Sequence, residues 1–364
     1  MDVFSVDQQV LSALSHNSTN ETRHEGSGFP HHIVIASIYI ATTVFGVVGN
    51  GLVIMGVALS PKLQTPTNVL IVNLAIADLL TCAVLPFQTA GVLSERDQFP
   101  LPDVVCTIVG SVIYVTFACS GINLVLIAII RCYVITKSIR GKVGLNTRRK
   151  QIALALMAWV LACLSIYVPV FGFQLTTFSY YPPYGQCFTS PSPRSNAYHG
   201  YLAVLICIMV TVILACYLRI LVFLRNQHNQ FRVHFGSSRS RRLHRAAIKR
   251  MGRREIRVTK NLFIVFMAFV VCTLPTTIAF IIPDVLSIGL YTTAVLYLNN
   301  CLNPILYAYK HPVFKSRFLA LIKRVLVSVG CSRKGVQPPV RTISVAFVYA
   351  MNVSQYPVTL KMAY

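Results

Sequence analysis

The chain has 364 residues, of which 55 % are apolar and only 12 % charged, and its formal net charge is +23. Soluble proteins carry charge on about a quarter of their residues, so the composition excludes an ordinary pair of soluble domains and points to a membrane protein. The basic excess would suggest nucleic acid in a soluble chain, and only the positions of the charges can decide the partner.

Apolar runs of roughly 18 or more residues read as membrane spans. Seven such runs occur: His32 to Leu59, Asn68 to Leu93, Val105 to Thr136, Gln151 to Phe173, Tyr198 to Leu224, Val258 to Ile282 and Ser287 to Tyr309. The predicted fold is an all-α membrane protein, a seven-transmembrane helix bundle with a short amphipathic eighth helix. Its expected divisions are an outer N-terminus (1–31), a seven-helix bundle (32–310), helix 8 (311–330) and an inner tail (331–364). With the N-terminus outside, all of the 33 Lys and Arg except Arg23, Arg96 and Arg194 fall on the inner side, as the positive-inside rule requires. The acids sort the other way, leaving only Asp78 within the membrane and Glu255 at the inner edge. The charge is therefore a topological signature, which argues against nucleic acid and for anionic lipid and an inner-side protein partner.

In chain order, residues 1–31 lack the apolar core and cleavage pattern of a removable signal peptide, so span 1 is expected to act as the insertion signal. Asn17 and Asn20 head glycosylation sequons on the expected outer side; Asn352 heads another on the inner side and should stay bare. Span 1 carries Gly49-Asn50, a small residue beside an amide that can bond across helices. Span 2 places the Asp78 carboxylate near mid-membrane, where it demands a partner or a cation. Span 3 opens at Cys106 and reaches Arg131 about 37 Å later at 1.5 Å per residue. Of the 11 cysteines, only Cys106 and Cys187 are expected at the oxidising face. The other span cysteines, Cys132 and Cys216 among them, read as small packing residues.

Span 4 holds the single tryptophan, Trp159, and Pro169 near its outer end. The Tyr-, Pro- and Ser-rich stretch from Thr176 to Asn196 reads as a lid over an outward cavity. The basic stretch from Arg225 to Arg257 reads as a solvated loop with helical flanks. Pro275 is expected to kink span 6 so that its inner half can swing. Span 7 contains Asn299, Asn300, Asn303 and Pro304, all costly in a membrane unless neighbouring helices satisfy them. Beyond it, Phe314, Phe318, Leu321, Ile322 and Val325 recur at helical spacing among basic residues, the pattern of an interfacial helix. Cys331, just past it, is a palmitoylation candidate or an unmodified thiol.

Gly49-Asn50, Leu74-Ala-Ile-Ala-Asp78, Cys106, Arg131, Trp159, Cys187, Pro275 and Asn303-Pro-Ile-Leu-Tyr307 together resemble the rhodopsin-like (class A) G-protein-coupled receptors over roughly residues 32–331. Local wording, such as Tyr184-x-x-Cys-Phe and Cys216-Tyr-Leu-Arg-Ile, looks like melatonin receptors and related invertebrate orphan receptors. The resemblance implies a Cys106–Cys187 disulfide, plasma-membrane location, and signalling to a heterotrimeric G protein, with arrestin as a further partner and no enzymatic activity. It implies a sodium pocket at Asp78, Ser120, Asn299 and Asn303, with no other cofactor. Tyr217 and Tyr307 match tyrosines that swing inward on activation, and Pro275 and Pro304 match the family's helix-bending prolines.

Departures from the pattern are informative. Ile130-Arg131-Cys132 lacks the acid that normally precedes the arginine, so Glu255 is expected to hold Arg131 in the inactive state. Thr273 stands where helix 6 usually has tryptophan, and Met209 where helix 5 usually has proline. These changes suggest raised basal signalling. Ile113 replaces the aspartate of amine receptors, and Pro169 and Leu205 replace the polar melatonin-binding positions. The expected upper pocket is Phe87, Gln88, Ile113, Tyr114, Phe117, His199, Phe280, Thr293 and Tyr297, suited to a small neutral or lipid-like ligand. The competing readings are a seven-helix transporter or channel, or a receptor that does not couple. A transporter would show more buried polar machinery and an internal repeat.

Overall fold

The computed structural model describes residues 29–94, 98–137, 147–190, 193–233, 239–281, 288–310 and 312–328. The side chains of residues 227–233 and 239–258, Glu255 among them, lie outside that description, as do Asn17, Asn20 and Cys331. The helices are α1 (Phe29–Ala58), α2 (Asn68–Val92), α3 (Asp103–Lys137), α4 (Arg148–Tyr167), α5 (Ser195–Val233), α6 (Arg239–Ile281), α7 (Gly289–Lys310) and α8 (Pro312–Ser328). A wide turn, Val168–Gly172, ends α4 where Pro169 removes a helical donor. Between α4 and α5 lies a hairpin of β1 (Phe178–Tyr181) and β2 (Gln186–Thr189).

Six helices, α1 to α6, are long and apolar enough to cross a membrane. The seventh, α7, has the length at 22 residues but is diluted by its asparagines, threonines and tyrosines. It can be polar because it is shielded, packing against α1, α2 and α6. The bundle turns its apolar surplus outward: Val204, Ile208, Leu218 and Val222 on α5 are all more than half exposed, as lipid-facing residues are. Inside, α3 runs through the centre in contact with α2, α4, α5 and α6.

The structure lengthens two expected spans. Helices α5 and α6 reach 39 and 43 residues, well beyond a bilayer core of about 30 Å at 1.5 Å per residue. The basic stretch between them is largely helix. Arg and Lys are good helix formers, and helix ends standing in water need no apolar face to persist. Past α7, α8 lays Phe314 and Phe318 into the bundle beside Gly56 of α1, both rings buried.

Candidate functional site

Asp78 of α2 is fully buried, and two neutral donors meet its carboxylate. Ser120 Oγ of α3 donates to one oxygen at 3.3 Å, and Asn303 Nδ2 of α7 donates to the other at 2.8 Å. Asn299 lies one helical turn before Asn303, also buried. Among the described residues, Asn299 Oδ1 and Asn303 Oδ1 are buried without a hydrogen-bond donor. A carboxylate with spare amide oxygens beside it is a hard-oxygen set that suits a small hard cation. No group of three or more His, Cys, Asp or Glu able to hold a metal occurs among the described residues.

The proline in α7 is met from α1. Pro304 has no N–H to offer the carbonyl of Asn300, four residues earlier. Asn50 Nδ2 takes that carbonyl at 2.8 Å and shares its donors with Gly46 O at 3.0 Å. Gly49 permits the approach, since a Cβ there would lie 2.8 Å from Pro304 Cβ. A second amide cluster ties three helices: Asn73 Nδ2 donates to Asn123 Oδ1 at 2.9 Å, and Trp159 Nε1 donates to Asn73 Oδ1 at 2.9 Å. Sequence reasoning named Trp159 but missed its partners, although two amides at helix-facing positions were the available signal.

At the other end of α3, the hairpin is fastened over the bundle. Cys106 and Cys187 form a disulfide that ties β2 to the head of α3. Gln88 clamps the same residue with both halves of its amide, accepting from Cys187 N at 2.7 Å and donating to Cys187 O at 3.0 Å. Tyr180 Oη donates to Gly91 O at 3.1 Å, and Gln186 Nε2 donates to Thr293 Oγ1 at 3.4 Å. The hairpin turns at Gly185, whose φ of 61° is left-handed and whose added Cβ would meet Val92 Cα at 2.9 Å. Burial pushes the Tyr184 phenol up to about 12, so in the hairpin turn it remains a neutral donor.

Beneath the hairpin lies a cavity of about 110 Å³. Of the expected pocket residues, Ile113, Tyr114, Phe117, His199, Phe280 and Tyr297 line it. The other three do not. Phe87 is 39 % exposed on the outer surface, Gln88 is consumed by Cys187, and Thr293 bonds the helix carbonyls and Gln186. Gln88 and Thr293 are fully buried but spend their polar groups on the hairpin, and Phe87 alone turns to the outer surface. Phe188 of β2 joins the lining, packing on Phe280 at 5.4 Å between ring centres. His199 stacks on Phe280 at 5.0 Å and hydrogen-bonds Thr189 at 3.0 Å. Lower down, Met209, Thr273 and Asn300 join the lining. The Thr273 hydroxyl bonds back to Phe269 O at 2.7 Å.

The Arg131 end is tight. Arg131 itself is buried at 7 % exposure. Tyr217 of α5 packs edge-on to Phe263 of α6 at 4.9 Å and over Phe266 at 6.4 Å. Tyr307 of α7 stacks on Phe314 of α8 at 5.8 Å, and its buried hydroxyl has no partner among the described residues. Pro275 lies within α6, on the cavity side of these aromatics. Glu255, the expected partner of Arg131, falls among the α6 side chains outside the description.

Residues 49–307 match the family model of the 7 transmembrane receptor (rhodopsin family). Melatonin receptor type 1C of Xenopus laevis is 28 % identical over 307 residues, covering 81 % of this chain and 68 % of that receptor. Melatonin receptor type 1B-B of Danio rerio is likewise 28 % identical, over 81 % of this chain and 83 % of that receptor. Adenosine receptor A3 of Canis lupus familiaris is 29 % identical over 81 % of this chain and 93 % of that receptor. The crystal structure of squid rhodopsin superposes with a TM-score of 0.69 at 18 % identity, covering 90 % of this chain and 93 % of that one, a likeness of fold.

Proposed function

The chain belongs to the rhodopsin family of seven-transmembrane receptors, multi-pass membrane proteins that sense ligands and signal through G proteins, and on that premise we propose a specific mode of action for it. A small neutral or lipid-like ligand occupies the cavity under the hairpin, and its binding is relayed through α6 and α7 to the Arg131 end. The observation that carries this reading is the cavity itself. Its lining is mostly aliphatic and aromatic, with Thr and Ser hydroxyls, the His199 imidazole and the Asn300 amide as polar groups and no Asp, Glu, Lys or Arg among the lining residues. A cationic amine would find no counter-ion there. Two of the relatives are named for melatonin and one for adenosine, both uncharged small molecules, which agrees with this ligand class.

Activation in this scheme bends α6 at Pro275, where the missing N–H weakens the helix, and carries the inner half of α6 outward. Tyr217 is released from Phe263 and Phe266, Tyr307 moves from Phe314, and Arg131 becomes available to a heterotrimeric G protein. Glu255 restrains Arg131 until then. With no acid beside Arg131 in sequence, that restraint rests on one distant carboxylate, and basal signalling is raised. A sodium ion held by Asp78, Ser120, Asn299 and Asn303 would neutralise the buried carboxylate and favour the inactive arrangement. The N-terminus lies outside the cell with glycans on Asn17 and Asn20. On the inner side, α8 rests on lipid, Cys331 accepts a palmitoyl chain, and arrestin competes for the activated surface.

The test is a panel of G-protein sensors in cells displaying the receptor, comparing the chain with Arg131→Ala and Glu255→Ala. Basal signal abolished by Arg131→Ala and raised by Glu255→Ala supports the scheme. A silent panel for wild type and Glu255→Ala alike, with surface display confirmed, removes the basal activity and the restraint.

A further inference from the structure

The cavity under the hairpin is short of free protons. Thr273 donates to Phe269 O at 2.7 Å, Thr276 to Thr292 O at 2.8 Å, Thr277 to Thr273 O at 3.0 Å and Ser165 to Ala162 O at 2.9 Å. These four hydroxyls line the cavity, and with their protons spent they offer it only oxygen lone pairs. At the outer end three residues form a chain: Tyr114 Oη lies 3.4 Å from Thr189 Oγ1, which lies 3.0 Å from His199 Nε2. Among the described residues, Thr189 is the only hydrogen-bond partner of the Tyr114 hydroxyl and of the His199 ring. Counting protons orders the chain. If Nε2 were the donor, the Thr189 proton would go to Tyr114 Oη, and the Tyr114 proton would find no acceptor among these residues. In the opposite sense every proton is placed: Tyr114 donates to Thr189, Thr189 donates to Nε2, and the neutral ring carries its own proton on Nδ1.

We propose that His199 Nδ1–H is the donor that recognises the ligand, and that the ligand is a neutral molecule presenting a hydrogen-bond acceptor, such as a ketone, ester or amide carbonyl, at the hairpin end of the cavity. This inference rests on the reading above that the cavity is the ligand site. His199 lines the cavity, and its ring is held in plane by Phe280, 5.0 Å away and inclined by 15°. With Nε2 turned to Thr189, Nδ1 is the nitrogen left for a ligand, and a carbonyl oxygen is the simplest group that accepts from it without bringing a proton of its own. Thr189, which is not part of the lining, is a positioning residue: its hydroxyl decides which nitrogen of His199 carries the proton.

The experiment uses the full-length receptor in lipid nanodiscs and two neutral probes of one shape, acetophenone and 2-phenylpropene, which differ only in a carbonyl oxygen against a methylene. Binding is read by NMR at the labelled methyl of Met209 in the cavity wall. Comparing the ratio of the two affinities between proteins cancels the probes' different solubilities. Acetophenone's affinity relative to 2-phenylpropene should fall about 3–10-fold in His199→Phe, which keeps a ring on Phe280 and removes the N–H. An unchanged ratio overturns the proposal and leaves the cavity as the ligand site; failure of both probes to bind the wild type removes the cavity reading and the ligand class with it. The tautomer is read separately in receptor labelled with nitrogen-15 histidine. One Nδ1–H histidine should move when acetophenone is added to the wild type and be missing in His199→Gln, and Thr189→Val should mix in the Nε2–H form. His199 found with its proton on Nε2 in the wild type overturns the proposal whether or not a probe binds.

Discussion

Removing the Asn50 amide should expose how Pro304 is accommodated. In Asn50→Ala, the Asn300 carbonyl loses the donor at 2.8 Å and, with a proline four residues on, has no helical N–H to replace it. Leaving a buried acceptor unsatisfied costs about 1–3 kcal/mol, while interhelical hydrogen bonds in membrane proteins average about 0.6 and reach about 1.7 kcal/mol. The expected loss is therefore about 1–2 kcal/mol. Pro304→Ala supplies the missing N–H from within α7, so in that background Asn50→Ala should cost about 0.5 kcal/mol or less. The double-mutant cycle then gives a coupling near 1 kcal/mol, of the size expected for contacting groups. Equilibrium unfolding in mixed micelles, followed by the fluorescence of Trp159, reads all four proteins. An Asn50→Ala cost that is the same with and without Pro304 would refute the reasoning.

Other outcomes follow from the same geometry. Replacing choline by sodium should raise the melting temperature of the wild type and leave Asp78→Asn unmoved; a sodium shift surviving in Asp78→Asn would remove the ion from Asp78. The Cys106–Cys187 bridge spans 81 residues, so Cys106→Ser should lose about 4.5 kcal/mol by the chain-entropy estimate, seen as collapse of surface display. Gly185→Ala combines a left-handed φ with an added Cβ close to Val92, and should lower thermal stability by about 1–2 kcal/mol, whereas Gly51→Ala, with open space at its Cβ, should not.

The spans were legible because a bilayer imposes length and apolarity on each helix, and α7 was legible despite its polarity because Asn303-Pro304 sits in an otherwise apolar run. The ends of α5 and α6 were not, since helix continuing into water carries no apolar stripe to read. That the Asp78 carboxylate needs a partner was legible from the cost of burying it, whereas Ser120 and Asn303 as its partners were implied only by the family resemblance. The pocket was half legible. Which face of α2 turns inward depends on how the hairpin seats, and the pairing of Tyr180 with Cys187 that presents Phe188 downward is set by tertiary packing.

The most direct measurement of the central claim is the distance between residue 150 on α4 and residue 260 on α6, both replaced by a bioorthogonal spin label and read by pulsed electron resonance. Addition of nucleotide-free G protein should add a longer-distance component that Arg131→Ala does not show. A complex that forms with the distance unchanged would contradict an outward movement of α6, and failure of every G protein to bind the displayed receptor, with its cavity filled or empty, would contradict coupling itself.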